Sequence, residues 1–474
     1  MIAPQNSPAE LFATVVANGY CIGCGACAAF DPAIQIRFDD YGRYVATHPA
    51  ERFPINPAAA HVCPFADGVP DENALAREIF GQHITLDPHI GHQLATYAGW
   101  VVESDFRARG SSGGLASWLL VELLNRRMVD YAVHVAPEPG TVAGAPLFRF
   151  AISSTPDEVR AKSKSRYYPV EMSGVITRML QQPGRYAVVG IPCFIKAIRL
   201  ACRESAALKE RVTFTVGIVC GHLKSTSFAE LFAWQCGIAP SELRSIDFRT
   251  KLPERPASSY AVSIEGERDG RRFTVTKPTS ELIGSNWGQG FFKYKACDFC
   301  DDVVGETADI SIGDAWLPEY EPDPAGTNVV VVRSPTLNSL LAEAVAAGRL
   351  HFDSISAGKV VESQAGAFRH RRQGLSYRLQ LEDQVGGWRP TKRVAPSANH
   401  LTPKLREIYE LRYELGQFSH VAFAAAKVKQ KLGAFVELMK PLVVRYERHY
   451  RRPFPLRVLG KIKRTIRGLL RSKP

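Results

Sequence analysis

The sequence has 474 residues, of which 45% are hydrophobic and 22% charged, a composition that excludes a disordered or fibrous chain and fits about two to four globular domains. No apolar run approaches the length of about eighteen residues that spans a bilayer, and the start lacks a basic segment ahead of an apolar core, so we expect a cytoplasmic protein without a signal peptide. The net charge of +12 resides in one segment, because 18 of the 59 Lys and Arg but only 5 of the 47 Asp and Glu lie in Leu401–Pro474.

The predicted elements divide the chain into three parts. Residues 1–95 contain a cysteine motif, many loops and a short strand pair over Asp39–Val45, and are predicted to form a small ferredoxin-like module. From 96 to 400, strand-like and helical runs alternate, which is typical of an α/β sheet layered by helices. The runs are Ala98–Glu103, Leu115–Arg126, Tyr131–Ala136, Tyr186–Gly190, Phe194–Arg203, Val212–Val219, Ala308–Gly313 and Val329–Arg333. Residues 401–474 are predicted to be a basic helical tail.

Three cysteines spaced two residues apart give the strongest chemical signal. Small residues such as Gly23 and Gly25 stand between Cys21, Cys24 and Cys27. Farther along the chain, Cys63 stands directly before a proline. Such a run can fold around a cubane, and a distant Cys-Pro supplies the fourth thiolate, as in bacterial ferredoxins. Structural zinc is the alternative, although it normally takes two separated ligand pairs. The spacing therefore predicts a 4Fe-4S cluster.

Four dispersed cysteines form a second group: Cys193, Cys220, Cys297 and Cys300. The first two each follow an apolar run, so we expect them at the carboxyl ends of neighbouring strands, where α/β proteins place their chemistry. The Cys-x-x-Cys pair on a nearby loop would complete a four-thiolate set. From the residues alone, buried apolar thiols, half of a zinc site and a redox-active dithiol remain alternatives.

A glycine-rich segment, Arg109–Gly114, runs directly into the helical pattern Leu115–Leu124. Glycines let a backbone approach phosphate, and the free N–H groups and dipole at a helix start favour negative charge. The segment matches neither a Walker A sequence nor a G-x-G-x-x-G fingerprint. A turn with a serine N-cap is therefore the alternative to an anion site.

Taken in order, these segments resemble those of the coenzyme F420 hydrogenase/dehydrogenase beta-subunit family, which includes 7-hydroxymethyl chlorophyll a reductase. The resemblance extends from Cys21 to Ser334. Besides the motifs above, it rests on Ser165–Tyr168, Gly190–Cys193, Gly217–Cys220, Phe248–Lys251, Cys297–Cys300, Ala308–Trp316 and Gly326–Thr327. It implies a flavoprotein that holds FAD beside iron-sulfur clusters, the clusters moving electrons singly and the flavin in pairs.

The resemblance also implies roles for particular residues. The first cluster would be held by Cys21, Cys24, Cys27 and Cys63, and a second 4Fe-4S cluster by Cys193, Cys220, Cys297 and Cys300. The FAD phosphates would lie on Gly110, Ser111, Ser112, Gly113 and Gly114. Candidates to compensate the charge of the pyrophosphate or of a reduced flavin are Lys164, Arg166 and Lys251, each with a solvated side chain as the alternative.

Reduction of an organic substrate also needs a proton donor, and three residues in the matched segments could serve: His222, Asp314 and Tyr168. The alternative for His222 is a core histidine that hydrogen-bonds a cluster sulfur, and for Asp314 a turn cap.

The sequence thus predicts an iron-sulfur flavoprotein oxidoreductase that transfers electrons between a ferredoxin-type partner and a small organic substrate. Two alternatives stay open: an electron-transfer subunit without its own substrate site, and a zinc-stabilised scaffold at a membrane surface. The family acts on different compounds, so the substrate does not carry over. Bacterial relatives often accompany polysaccharide-assembly enzymes, which makes a sugar or lipid-linked glycan a candidate.

The last predicted helix, Leu456–Arg471, carries apolar residues at helical spacing among basic ones. From Arg445 to the end there are 11 basic residues and one acidic residue. A cationic amphipathic helix suits the surface of an anionic bilayer, with a helix docked on the body or a solvated tail as alternatives. Sparse aromatic residues disfavour nucleic acid as the partner. We expect a peripheral contact with the inner membrane surface.

Overall fold

The chain is described here by a computed structural model that covers residues 7–49, 51–81, 85–138 and 145–450. Its strands are β1 (Gln35–Phe38), β2 (Tyr44–Thr47), β3 (Thr85–Asp87), β4 (Gly91–Gln93), β5 (Ala95–Val101), β6 (Tyr131–Pro137), β7 (Phe148–Ser153), β8 (Tyr186–Gly190), β9 (Val212–Ile218), β10 (Leu243–Thr250), β11 (Ala261–Arg268), β12 (Arg271–Pro278), β13 (Ile310–Asp314), β14 (Asn328–Val332) and β15 (Leu350–Ser354).

The α-helices are α1 (Pro8–Leu11), α2 (Ala26–Phe30), α3 (Ala58–His61), α4 (Glu72–Phe80), α5 (Phe106–Arg109), α6 (Leu115–Asn125), α7 (Pro156–Ala161), α8 (Ser173–Gln181), α9 (Pro192–Glu204), α10 (Ala206–Arg211), α11 (Ser227–Gln235), α12 (Lys295–Asp298), α13 (Pro335–Ala346), α14 (Ala357–Ser363), α15 (Ala365–Arg369), α16 (Leu375–Val385), α17 (Pro403–Val428) and α18 (Leu432–Arg448). There are also π-helical turns at Phe12–Val16 and His370–Gly374, and 3-10 turns at Pro240–Glu242 and Thr279–Glu281.

An eight-stranded mixed sheet, in the order β15-β5-β14-β13-β9-β8-β6-β7, carries the core. The four strands β13, β9, β8 and β6 run parallel, and antiparallel strands flank them on both sides. Successive residues of β8 face opposite layers, as a strand requires: Ala187 packs with helices α6 and α13, and Val188 packs with helix α9. The predicted α/β class is confirmed.

Most predicted elements of this sheet shift by only a few residues, but the antiparallel sheet β10-β11-β12 was not predicted. The strand pair expected over Asp39–Val45 is displaced, because Asp39 begins a turn. Its carboxylate accepts hydrogen bonds from the backbone N–H groups of Tyr41 and Arg43 at 3.0 and 2.9 Å. Such side-chain bonds to the local backbone favour a turn over a strand. The strands β1 and β2 therefore lie on either side of the turn at Asp39–Arg43.

Helices α17 and α18 pack on the hydrophobic core cluster that also holds cysteines of both sets. Their buried side chains include Leu415 and Phe435, and Phe435 stacks on Phe292 with ring centroids 5.8 Å apart. The predicted amphipathic helix Leu456–Arg471 lies outside the described residues. In the part of the chain that the structure describes, no helix is both long enough and apolar enough to cross a membrane.

Candidate functional site

The first four predicted ligands converge on one small cavity, whose walls include Cys21, Cys24, Cys27 and Cys63. Cys21 and Cys24 lie on the loop that leads into α2, Cys27 lies in the first turn of α2, and Cys63 follows α3. The backbone N–H groups of Gly23 and Ala46 each point at the Cys21 sulfur from 3.4 Å. Gly23 has a φ of +63°, and a Cβ there would lie 2.2 Å from the Tyr44 carbonyl oxygen. The loop therefore needs glycine to bring these thiols together.

The second four cysteines also converge. Cys193 lies in the first turn of α9, after β8, and Cys220 follows β9, so parallel neighbouring strands deliver both to the same sheet edge. Burial raises the pKa of the Cys193 thiol, and negative charge on Cys300, Cys220, Cys297 and Cys24 raises it further. Cys193, Cys297 and Cys300 pack in the same hydrophobic core cluster as all four cysteines of the first set.

Both sets have the chemistry of cluster ligands. Burial raises the pKa of Cys63 and of Cys297 to about 12, so a stable thiolate at these positions needs bound positive charge. The backbone N–H of Leu223 donates to the Cys297 sulfur at 3.2 Å. Among the described residues, no three Cys, His, Asp or Glu side chains converge closely enough to hold a single metal ion. A cubane takes one thiolate on each of its four iron atoms, so four convergent cysteines are the ligand set that such a cluster needs.

A cleft with an empty volume of about 1560 Å³, its open mouth included, lies at the carboxyl edge of the parallel strands. It is the position that open α/β sheets use for ligands. The cleft brings together most of the predicted flavin-binding and catalytic residues with one cysteine of the second set. These are Gly110, Ser111, Ser112, Gly114, Lys164, Arg166, Tyr168, Cys220, His222 and Asp314.

The glycine-rich loop lines part of the cleft. Gly114 has a φ of +86° and stands directly before α6, and a Cβ there would lie 2.6 Å from the Phe106 carbonyl oxygen. Gly113 does not line the cleft, because it packs against Asn328, whose side-chain oxygen would lie 2.6 Å from its Cβ. Ser112 donates to the Thr327 carbonyl oxygen at 2.9 Å. The loop thus presents backbone and Ser111 to the cleft.

The three predicted cations have different roles. Lys251 does not line the cleft. Its ammonium group donates to the carbonyl oxygens of Arg107, Ser112 and Ala325, and these bonds stabilise the glycine-rich loop. Lys164 lines the cleft but pairs with Asp247 at 3.0 Å. Of the three, Arg166 is the one with a buried donor atom, Nε, that has no hydrogen-bond partner among the described residues.

Arg166 is the described cation best suited to an anion in the cleft. Its Nε atom is buried and has no hydrogen-bond partner, and its guanidinium lies over the Phe148 ring at 4.9 Å from the centroid. Burial lowers the pKa of Arg166 to about 10, so the side chain stays charged at neutral pH. A buried guanidinium with an unsatisfied donor is a cost that an anionic ligand would remove.

The predicted proton donors are placed unequally. His222 has a buried Nε2 without a partner and lies against Trp287 at 4.6 Å, and burial holds its pKa well below the usual range. Burial raises the pKa of Tyr168, so its phenol is protonated at neutral pH. Asp314 instead accepts both arms of the Arg249 guanidinium, at 3.1 and 3.2 Å. Its carboxylate is an anchor for Arg249 rather than a turn cap.

Sequence reasoning missed several residues at this site. His134 lines the cleft and hydrogen-bonds Ser153 at 2.9 Å, and Lys162 donates to the same hydroxyl at 3.0 Å. Arg371 is buried against the second cysteine set, with an Nη1 to Cys300 sulfur distance of 3.0 Å. The sequence around Arg371 gives no signal of this role, because the residue stands in a basic stretch that is typical of a solvated surface.

Two sets of cysteines and a cleft at the carboxyl edge of an α/β sheet are features typical of a redox protein. Two family models match the chain, and both describe the beta subunit of coenzyme F420 hydrogenase/dehydrogenase. The model of its N-terminal part matches residues 96–177, and the model of its C-terminal part matches residues 184–357. The chain belongs to this family. The resemblance drawn from the motifs is therefore confirmed.

Two known proteins illustrate the relationship. An F(420)H(2) dehydrogenase subunit of Methanosarcina mazei is 24% identical over 338 residues, which are 68% of this chain and 81% of the relative. A chain of the F420-reducing [NiFe] hydrogenase complex from Methanosarcina barkeri is 19% identical, with a TM-score of 0.48, and the match covers 65% of this chain and 99% of that one. Both relatives are oxidoreductase components.

Proposed function

We propose that this protein is an iron-sulfur flavoprotein oxidoreductase that exchanges electrons between a ferredoxin-type partner and a small organic substrate. The observation that carries the proposal is the shared cleft, because Cys220 of the second cysteine set lines the same cavity as the glycine-rich loop. Redox cofactors supply the electron chemistry in such proteins, and the protein supplies binding, orientation and electrostatics. Bound clusters would provide one-electron steps, and bound FAD would provide the two-electron step.

Within the cleft, the chain's own residues have distinct tasks. Ser111, the loop backbone and Arg166 would bind the FAD pyrophosphate, with Lys251 holding the loop in place. The neutral phenol of Tyr168 and the imidazole of His222 stand in the same cleft, where either can hold a proton close to a bound substrate. Both side chains carry a proton at neutral pH, because burial raises the pKa of the Tyr168 phenol and a neutral imidazole, favoured by the burial that lowers the pKa of His222, keeps one N–H.

The cysteine sets also fit a partner that docks near the first one. Each set combines partly buried and buried thiols: Cys21, Cys63 and Cys193 are partly buried, and Cys24, Cys27, Cys220, Cys297 and Cys300 are buried. Because Cys220 lines the cleft, the second set would stand next to bound flavin, and the first set would receive electrons from the partner. Steady-state turnover of the isolated protein with reduced ferredoxin tests whether the substrate site is its own, and its absence with every acceptor would favour a pure electron-transfer subunit.

The cofactor content gives the decisive test. Anaerobically purified protein is expected to contain about eight irons, about eight sulfides and one FAD per chain. Cys21→Ser and Cys220→Ser are each expected to lose about four irons, because each variant removes one ligand of one set. Iron, acid-labile sulfide, zinc and released flavin are the quantities to measure. Zinc without iron or flavin in folded wild-type protein would contradict the proposal and favour a scaffold.

We further propose that the basic C-terminal segment makes a peripheral contact with an anionic membrane surface. Full-length protein is expected to float with vesicles that contain anionic lipid, and a chain that ends at Tyr450 is expected to stay in the bottom fraction. The attraction is electrostatic in part, so added salt should weaken the binding. Neutral vesicles are the control. Equal flotation of the two proteins with anionic vesicles would refute the contact.

A further inference from the structure

A fully enclosed arginine, Arg371, reaches into the second cysteine set. The residue is 2% exposed, and its Nη1 donates to the Cys300 sulfur at 3.0 Å and to the Asp302 carbonyl oxygen. Its Nη2 donates to the carbonyl oxygens of Cys220 and Gly221 at 2.9 and 2.8 Å. One guanidinium therefore joins the segment after β9 to the loop that carries the Cys-x-x-Cys pair.

The backbone aims this side chain at the cysteines through an irregular helical turn. Arg371 lies in the π-helical turn His370–Gly374 between α15 and α16. The next residue, Arg372, points elsewhere, toward Glu306 at 3.4 Å and the His89 carbonyl oxygen at 3.3 Å. Wide helical turns of this kind occur frequently at functional sites.

Among the described residues, Arg371 forms no direct ion pair with a carboxylate, although the charge of Asp302 acts on it from farther away. The atoms that accept hydrogen bonds from Arg371 are one sulfur and three backbone carbonyl oxygens. The neighbouring carboxylates are engaged by another cation, since Arg393 pairs with Asp301 at 3.1 Å and with Glu306 at 2.6 Å. A buried charge without a counter-charge is costly. Thiolates of a bound cluster would supply that counter-charge.

We propose that Arg371 is a positioning residue that raises the reduction potential of the cluster held by Cys193, Cys220, Cys297 and Cys300. The proposal rests on the proposed function, which places a cluster there. Reduction adds one electron, supplied by a ferredoxin-type donor, to the cluster, and no bond or proton is exchanged with the arginine. A fixed positive charge and an N–H bond to sulfur stabilise the more negative, reduced state more than the oxidised one.

The test is a redox titration of the anaerobically purified full chain, followed by electron paramagnetic resonance. Arg371→Met is expected to disfavour reduction of the second-set cluster at least about tenfold, which is a shift of about 59 mV to more negative potential for one electron. Arg371→Lys keeps the charge but loses the fork and should shift less. Arg372→Met is the matched control, and the cluster of Cys21 serves as an internal reference; both should keep wild-type potentials.

Iron content separates the possible failures. A count of only about four irons in the wild-type protein would show that the second cluster is absent. That result would contradict the proposed function, independently of the role of Arg371. An Arg371→Met variant with full iron and an unchanged potential would overturn the role of Arg371 while leaving the proposed function intact. If Arg371→Met loses the cluster, Arg371→Gln decides, because glutamine removes the charge but keeps an N–H donor: an intact cluster with a more negative potential supports the proposal, and an unshifted one overturns it.

Discussion

Replacing Gly23 by alanine is expected to remove about four irons per chain and to lower the melting temperature. Gly23 has a φ of +63°, and a Cβ there would lie 2.2 Å from the oxygen and 2.5 Å from the carbon of the Tyr44 carbonyl group. A left-handed conformation alone costs an L-residue about 1–2 kcal/mol. Tyr44 cannot easily yield, because it is paired in β2 and its N–H donates to the Tyr294 hydroxyl at 2.8 Å.

Gly174→Ala provides the matched control for this substitution. Gly174 lies in α8, and its added Cβ would meet no atom within 4 Å. Alanine is favoured over glycine inside a helix by about 1 kcal/mol, so this variant should keep its iron and melt no lower than the wild type. Wild-type iron content and melting temperature in Gly23→Ala would show that the loop tolerates a side chain, and would remove the argument for its geometry.

The second large effect is expected at the cleft, where Arg166→Met should weaken FAD binding about ten- to a hundredfold. Hydrogen bonds to charged groups contribute about 1.5–3 kcal/mol each, and about 1.4 kcal/mol is a tenfold change in affinity. Methionine keeps much of the apolar contact with Phe148 but cannot donate to an anion. The measurement is the dissociation constant of FAD from flavin-stripped protein, together with iron content, which should not change.

Two variants make the result specific to Arg166. Arg160 also lies over an aromatic ring, that of Phe106 at 4.1 Å, but it does not line the cleft, so Arg160→Met should bind FAD normally. Arg166→Lys retains the charge without the planar fork and should fall between wild type and methionine. Equal FAD affinity in all four proteins would exclude Arg166 from the flavin site.

Local patterns in the sequence predicted the framework of the site well. The parallel strands β8 and β9 end just before Cys193 and Cys220, as the apolar runs and the α/β alternation indicated. The first cysteine set could be recognised from its spacing alone, because Cys21, Cys24 and Cys27 lie within seven positions and stay close together in any compact fold. Such features depend on neighbours in the chain, which is why the sequence reveals them.

Partners that meet only in the folded chain could not be predicted. Lys251 looks like a phosphate ligand until the fold brings three carbonyl oxygens to its ammonium group. Asp314 looks like a proton donor or a turn cap until Arg249, from another sheet, takes both carboxylate oxygens. Arg371 lies 71 residues beyond the cysteine it contacts. Which donor finds which acceptor is decided by long-range packing, and no periodicity records it.

The separation of the two cysteine sets along the chain has a consequence for biosynthesis. The first set is complete once residue 63 has been made, but the second needs Cys300, and its neighbour Arg371 comes later still. Chains emerge from the ribosome at about 5–20 residues per second, so the two sets mature at different times. If the sets hold the proposed clusters, metal would be able to enter the first set while translation continues. Metal for the second set would have to wait until nearly two thirds of the chain has been synthesised.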